Sequence, residues 1–362
     1  MKKRRLFVLR RKSGGAGGAQ KVAADYAHRF GGNWEAELVH AGSTVDGFWI
    51  GGASGPGWLR SLAFTRDADR LVANVRPDAV LSLERGPGCD VYRAGDGVHR
   101  RWMRIKYGRS ARWMLNPVNW VNLYLERRCV TRAGHIVANS EMVAGDLRAE
   151  YSGIVDSKVR VIRNGFDPDR FNLDGSGHLP QECAEDAQAG RCVLFLGSGF
   201  ERKGLDWVIR FFAELCSRDP DWRQCGKLWI AGRGNEAPYR RIASELGISG
   251  QTRFLGAIDE PAELCRQAQL MVLPTRYDPF ANATLEALAC GCPVVTTAAN
   301  GASEIIQPGN TGWVLDKLRH DVIAAAGREF LEGSSVDRAA VAASVAGMTR
   351  KQEMDAFSEL LS

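Results

Sequence analysis

The chain has 362 residues, 45% hydrophobic and 25% charged. That balance excludes wholesale disorder and, at roughly 150 residues per domain, predicts two domains, each able to bury a core of its own. A formal net charge of +6 leaves nucleic acid, an anionic membrane and a phosphorylated substrate open as partners. No apolar run approaches the ~18–20 residues that cross a bilayer. The nine cysteines are scattered without a Cys-x-x-Cys pair, which argues for reduced, mostly buried thiols rather than a disulfide framework or zinc.

In chain order, Met1-Lys2-Lys3-Arg4-Arg5 precedes an apolar run of residues 6–9, and Arg10-Arg11-Lys12 follow at once. A secretory core needs about 7–15 apolar residues, so the expected location is cytoplasmic. Residues 6–9 read instead as a strand. Behind it comes Gly14-Gly15-Ala16-Gly17-Gly18-Ala19-Gln20, ahead of a helical pattern from Lys21. Glycines let a backbone approach a ligand, and helix N-terminal amides attract anions. The order lacks the Gly-Lys-Ser/Thr ending of a nucleotide P-loop, so it reads as a ligand-facing loop or as a flexible turn.

Further strands are expected at 36–40, 79–83, 91–94, 135–138 and 159–162. Between the fourth and fifth lies a basic run containing Arg100, Arg101, Arg104, Lys106, Arg109 and Arg112, uninterrupted by any acid and interleaved with Trp102, Trp113 and Trp120. Such a composition over 100–120 suits an anionic membrane surface, suits nucleic acid, or is a solvated face with packed Trp. A domain boundary is expected near Asn164-Gly165-Phe166-Asp167-Pro168, separating 1–166 from 167–346. Residues 172–190 are polar and aperiodic and read as a linker or surface loop.

The second half repeats the pattern, with strands expected at 193–196, 227–231, 253–255, 270–274, 293–297 and 313–315 and helices such as 206–217 and 283–289. These runs are rich in Val, Ile, Leu and Phe without clean alternation, as in strands buried on both faces. Alternating βα units in two sets predict an α/β chain of two doubly wound, Rossmann-like domains. The last helix, about 347–362, fits either.

Two motifs stand out there. Gly197-Ser198-Gly199-Phe200-Glu201-Arg202-Lys203-Gly204 places adjacent cations at a Gly-flanked helix start. Arg offers a planar fork and Lys a compact charge, which suits a diphosphate; the alternative is a solvated basic turn. Asp278-Pro279-Phe280-Ala281-Asn282-Ala283-Thr284-Leu285-Glu286 then leads through Ala287-Leu288-Ala289-Cys290-Gly291-Cys292 to Pro293-Val294-Val295. The free amides near Ala283-Thr284 would attract an anion, flanked by the carboxylates of Asp278 and Glu286. Carboxylates suit sugar hydroxyls, although Glu286 would equally serve as charge for its own helix start.

In this order the glycine loop, the Arg-Lys-Gly turn and the acid-rich motif running into Ala-x-Gly-x-Pro-Val-Val resemble family 4 retaining glycosyltransferases of GT-B fold. The interdomain Asn164-Gly165-Phe166-Asp167 and Phe171 resemble that family's Asn-Gly-Val-Asp…Phe stretch. The resemblance implies two domains facing across a cleft and a nucleotide-diphosphate sugar as donor. Gly17 and Gly18 would line that cleft, and Arg202 and Lys203 would clamp the diphosphate. Asp278 would hold the donor sugar and Glu286 the ribose. The backbone of Phe280, Ala281, Asn282, Ala283 and Thr284 would face sugar and phosphate, and Phe254 would lie near the base. The family's Glu is Asp278 here, shorter by one methylene, and Ser198 replaces a frequent Arg.

Residues 87–99, ending Asp96-Gly97-Val98-His99, resemble the branch that adds a hexose to the lipopolysaccharide core. That implies a lipid-linked saccharide acceptor, a peripheral position on the inner face of the cytoplasmic membrane, and contact of Asp96 or His99 with the transferred sugar or acceptor. No Asp-x-Asp motif sits where a metal-dependent GT-A enzyme needs one, so neither metal nor cofactor is expected. A nucleic-acid partner is not expected either, since it would leave the carboxylates and the Arg-Lys turn unexplained. Capsule or exopolysaccharide transfer, and a non-catalytic nucleotide-sugar binder, remain as alternatives.

Overall fold

The computed structural model describes residues 3–11, 26, 29–30, 33–41, 48–50, 55–188, 190–333 and 336–361. The Gly14–Gln20 loop, with Gly17 and Gly18, lies outside them. The chain divides into two compact units, Met1–Asn164 with Arg350–Ser362, and Gly165–Thr349.

The first unit carries β1 (Arg4–Leu9), β2 (Trp34–His40), β3 (Phe48–Trp49), α1 (Gly57–Val75), β4 (Ala79–Ser82), β5 (Val91–Arg93), α2 (His99–Tyr107), α3 (Pro117–Arg132), β6 (His135–Ala138), α4 (Glu141–Glu150) and β7 (Val159–Val161). Its sheet has the order β3-β2-β1-β4-β5-β6-β7 and every pairing is parallel. The six expected strands are all present; β3 is additional. The helix starts follow from local chemistry. Asn116 accepts from the amide of Val118 ahead of Pro117 at α3, and Ser140 accepts from the amide of Val143 at α4.

The second unit carries α5 (Gln181–Gln188), β8 (Cys192–Leu196), α6 (Phe200–Lys203), α7 (Leu205–Arg218), α8 (Pro220–Cys225), β9 (Lys227–Ala231), α9 (Ala237–Glu245), β10 (Thr252–Gly256), α10 (Ala262–Gln267), β11 (Leu270–Leu273), α11 (Asn282–Ala289), β12 (Val294–Thr297), β13 (Gly312–Leu315), α12 (His320–Glu332) and α13 (Arg338–Ala343). Its parallel sheet runs β10-β9-β8-β11-β12-β13, and β8, β9, β11 and β12 are almost wholly buried. Burial on both faces is why these runs are continuously apolar.

The expected linker at 172–190 is a correction. It belongs to the second unit and contains α5. Cys183 packs into the core, and buried Asp186 accepts from Trp229 Nε1 at 3.2 Å and pairs with Arg253 at 3.2 Å. A buried carboxylate with partners, rather than apolar periodicity, holds this helix.

The last helix, α14 (Arg350–Leu361), belongs to the first unit. Met354, Phe357 and Leu361 join Leu6, Val8 and Leu81 in one buried cluster. Buried Glu353 accepts from Tyr26 Oη, pairs with Arg350, and lies 3.5 Å from Arg93.

Candidate functional site

In the second unit, β8 ends at Leu196 and the chain turns through Gly197-Ser198-Gly199 into α6, which carries Arg202 and Lys203. Gly204 then turns the chain at φ +75°, and a Cβ there would overlap the carbonyl oxygen of Pro274, so only glycine lets this turn close on the end of β11. Arg202 Nη1 donates to the Tyr277 carbonyl at 3.0 Å and to Asp278 Oδ2 at 2.6 Å, and Lys203 Nζ reaches the same Oδ2 at 2.6 Å. Burial pushes the Asp278 carboxyl up, but the charges and hydrogen bonds of Lys203 and Arg202 outweigh it and hold the carboxyl below its ordinary value. Lys203 and Asp278 are both buried, at 8% and 6% exposure. Two cations on one carboxylate leave a net positive site.

The loop behind Asp278 is held by Asn300. Its Oδ1 accepts from the amides of Ala281 and Ala302, each at 3.1 Å, and its Nδ2 donates to the hydroxyls of Thr284 and Thr296 at 3.1 and 3.0 Å. Phe280, Ala281 and Thr284 are buried, while Asn282, Ala283 and Glu286 are half-buried on α11. Arg276 pairs with Asp206 at 2.9 Å, and its amide donates to the Arg202 carbonyl at 2.8 Å, tying the Arg-Lys turn to the Asp278 loop. Phe254 lies on β10 with the guanidinium of Arg240 4.2 Å from its ring centroid. Sequence reading passed over Asn300 and Arg276; an Asn-Gly pair just after a buried strand was the only local signal.

In the first unit, β5 ends at Arg93 and a turn at Gly97 (φ +71°) leads into α2, whose first residue is His99. Asp96 Oδ2 accepts from Arg10 at 3.2 Å. Desolvation alone would raise its carboxyl, but Arg10 and Arg85 hold it below the ordinary value. Arg85 Nη2 donates to the carbonyls of Asp96 and Gly97 at 3.3 and 2.8 Å. Glu126 on α3, almost fully buried, accepts from Arg85 Nε at 3.2 Å, the His99 amide at 2.6 Å and Tyr151 Oη at 2.7 Å. The His99 imidazole has its pKa lowered by burial and by the charge of Arg85. Its Nε2 is buried without a partner. Arg10, Arg85 and Glu126 come from three separate segments and carried no motif.

The basic run is corrected in one respect. No acid interrupts it in sequence, yet α4 supplies acids in space: Arg100 and Arg104 pair with Glu150, and Arg101 pairs with Asp146 at 3.4 Å. Lys106, Arg109 and Arg112 stay exposed. Of the eight exposed large hydrophobic side chains among the described residues, six lie between 105 and 124: Ile105, Met114, Leu115, Val118, Trp120 and Tyr124. Trp113 and Trp120 pack with centroids 4.9 Å apart. Among the described residues no helix is long and apolar enough to cross a membrane.

Residues 17–170 match the family model Glycosyltransferase Family 4, and residues 186–344 match Glycosyl transferases group 1. D-inositol 3-phosphate glycosyltransferase 2 of Catenulispora acidiphila is 30% identical over 207 residues, 54% of this chain and 48% of that protein. The chain spans about half the length of the curated relatives it matches. The crystal structure of WaaG, a glycosyltransferase involved in lipopolysaccharide biosynthesis, superposes with a TM-score of 0.81 at 19% identity, covering 99% of each chain. HepE of Anabaena in complex with UDP-glucose gives 0.71 at 18% identity, again covering 99% of each. At those identities the likeness shows the fold, which is GT-B with two Rossmann-like domains.

Proposed function

We propose that this chain, whose residues 17–170 and 186–344 match two glycosyltransferase family models, is a retaining, metal-independent enzyme that moves a hexose from a nucleotide-diphosphate sugar to a lipid-linked saccharide of the lipopolysaccharide-core type. The observation that carries the donor side is the meeting of Arg202, Lys203 and Asp278 within hydrogen-bond distance beside the start of α11. A diphosphate exchanges the Asp278 carboxylate for its own oxygens on the two cations. The freed carboxylate then takes sugar hydroxyls, and Glu286 takes the ribose. The UDP-glucose held by HepE supports a nucleoside diphosphate as the leaving group.

Transfer forms the bond from the acceptor oxygen to the anomeric carbon as the bond from that carbon to the β-phosphate oxygen breaks. Attack comes from the leaving-group face, and the departing phosphate takes the acceptor's proton. Arg202 and Lys203 stabilise the charge that develops on the diphosphate, a preorganised electrostatic contribution. Asp96 and His99 serve the sugar or the acceptor.

The exposed apolar and basic side chains of 105–124 support a peripheral position on an anionic leaflet at the cytoplasmic face, because exposed aromatic and basic groups together are what an interfacial segment needs. A second reading has one observation in its favour: the curated relative from Catenulispora is named for D-inositol 3-phosphate, a soluble phosphorylated polyol. Acceptor competition between that polyol and a lipid-linked core saccharide separates the two.

The donor assignment is tested by thermal shift with UDP, GDP, ADP and CMP sugars. One donor at 100 times its Kd is expected to add about 2.7 kcal/mol to stability. The R202A/K203A double variant is expected to lose that shift and nearly all turnover; wild-type turnover in it would sink the proposal.

A further inference from the structure

Arg85 lies in the connection between β4 and β5, and its neighbour Gly86 seats it. The Gly86 amide donates to Cys129 Sγ at 2.9 Å, and Arg128 donates to the Gly86 carbonyl. Gly86 stands at φ +116°, which glycine adopts freely, and a Cβ there would overlap the Thr65 hydroxyl on α1. The root of the Arg85 side chain is therefore fixed against α1 and α3, independently of any bond its guanidinium makes.

The guanidinium spans two partners. Its Nε donates to Glu126 Oε2 at 3.2 Å, and its Nη2 donates to the carbonyls of Asp96 and Gly97 at 3.3 and 2.8 Å. The same Oε2 accepts from the His99 amide at 2.6 Å, and Oε1 accepts from Tyr151 Oη at 2.7 Å. An ionised carboxylate only accepts, and three donors converge on this one. One ion pair thus holds two carbonyls and an amide of the 96–99 loop. An arginine that merely neutralised Glu126 would face the carboxylate with both arms of its fork. Arg85 instead gives Nη2 to the main chain of the loop. Glu126 is 1% exposed, so it acts on a ligand only through the groups it holds.

We infer that Arg85, backed by Glu126, is a positioning residue that grips the 96–99 loop by its main chain and so sets where the Asp96 and His99 side chains stand. Arg10 adds a side-chain hold on the same loop, donating to Asp96 Oδ2 at 3.2 Å. That Asp96 and His99 meet the sugar or the acceptor rests on the reading given under the proposed function. The grip on the loop does not.

Lysine at position 85 keeps the charge beside Glu126, but its compact ammonium lacks the fork that reaches the carboxylate and both carbonyls together. R85K is expected to lose about a hundred-fold in kcat with little change in KM for the donor, the split that misplaced reacting groups produce when the donor site is intact. E126Q still accepts from the His99 amide and is expected to recover part of the turnover that E126A loses. Hydrogen exchange on the full chain reads the grip itself. R85K and R85Q are expected to raise exchange about tenfold across 94–99, the worth of roughly one hydrogen bond, while 4–9 on β1 stays as protected as in wild type. Unchanged exchange at 94–99 overturns the inference. An equal rise over 4–9 overturns it too, because Arg85 would then only support the unit as a whole. D96N and H99Q separate the two claims. If either is inactive while R85K turns over like wild type, the positioning role falls and the substrate-facing reading of the loop survives. If both turn over like wild type, that reading falls, and exchange at 94–99 still decides the grip.

Discussion

Asp278 shows how one side chain sets both the charge and the stability of the proposed donor site. Its carboxylate is the shared partner of Lys203 and Arg202. Asp278→Asn is expected to leave the Lys203 charge buried and uncompensated, at a cost of about 3 kcal/mol, and to lower turnover. The pH dependence has a definite sign. The folded-state pKa of Asp278 lies below its ordinary value, so its contribution is fully present above the unfolded pKa of ~3.9 and is lost as pH falls through the folded value. Urea melts of wild type and variant at pH 7 and pH 3 check this: the gap is expected to be wide at pH 7 and narrower at pH 3. An equal gap at both would mean the carboxylate charge is not what stabilises.

Asn300 acts differently, through four neutral hydrogen bonds that join the Asp278 loop, α11 and β12. Neither role was legible to the same degree. Asp278 stands in a recognisable motif, whereas Asn300 resembles any turn residue until the fold shows what surrounds it.

At the scale of elements, the cations of the basic and aromatic segment fall into two groups that sequence merged. All six cations are exposed, but Arg100, Arg101 and Arg104 pair with acids on α4, whereas Lys106, Arg109 and Arg112 make no ion pair among the described residues. Replacing the latter three with Gln is expected to weaken binding to anionic liposomes about a hundred-fold at low salt, from about 1 kcal/mol per basic residue. Replacing the paired three is expected to do much less. Cosedimentation with vesicles containing phosphatidylserine measures both, and equal effects would refute the division. Serine at Leu115 and Trp120, exposed at 85% and 48%, is expected to weaken binding even at high salt, because the apolar contribution is not screened.

The last helix gives a contrasting case. Phe357→Ala on α14 removes a fully buried ring from the cluster around β1 and is expected to cost about 3–5 kcal/mol in urea melts. Strand β3 and helix α5 were the elements hardest to foresee. Two residues are too few to show a period, and α5 is polar because its anchor is the Asp186 carboxylate rather than an apolar stripe.

For the whole molecule, each unit has its own buried clusters and its own parallel sheet. Nucleotide-sugar is therefore expected to raise hydrogen-exchange protection chiefly within Gly165–Thr349, around 197–204 and 278–289. A rise confined to the first unit would contradict the donor assignment.

Composition and period alone determined that this is an α/β chain with two sets of parallel strands, because a strand covered on both faces has no solvent side to mark and must be apolar throughout. Residue types suited to phosphate and sugar chemistry also singled out the Arg-Lys turn and the acid-bearing loop as candidates. Tertiary structure alone decided which polar groups meet. Arg10, Arg85 and Glu126 frame one loop, and Arg276 and Asn300 the other, through contacts between residues far apart in the chain. Hydrogen bonds depend on distances of a few tenths of an ångström, and no spacing along the chain encodes those.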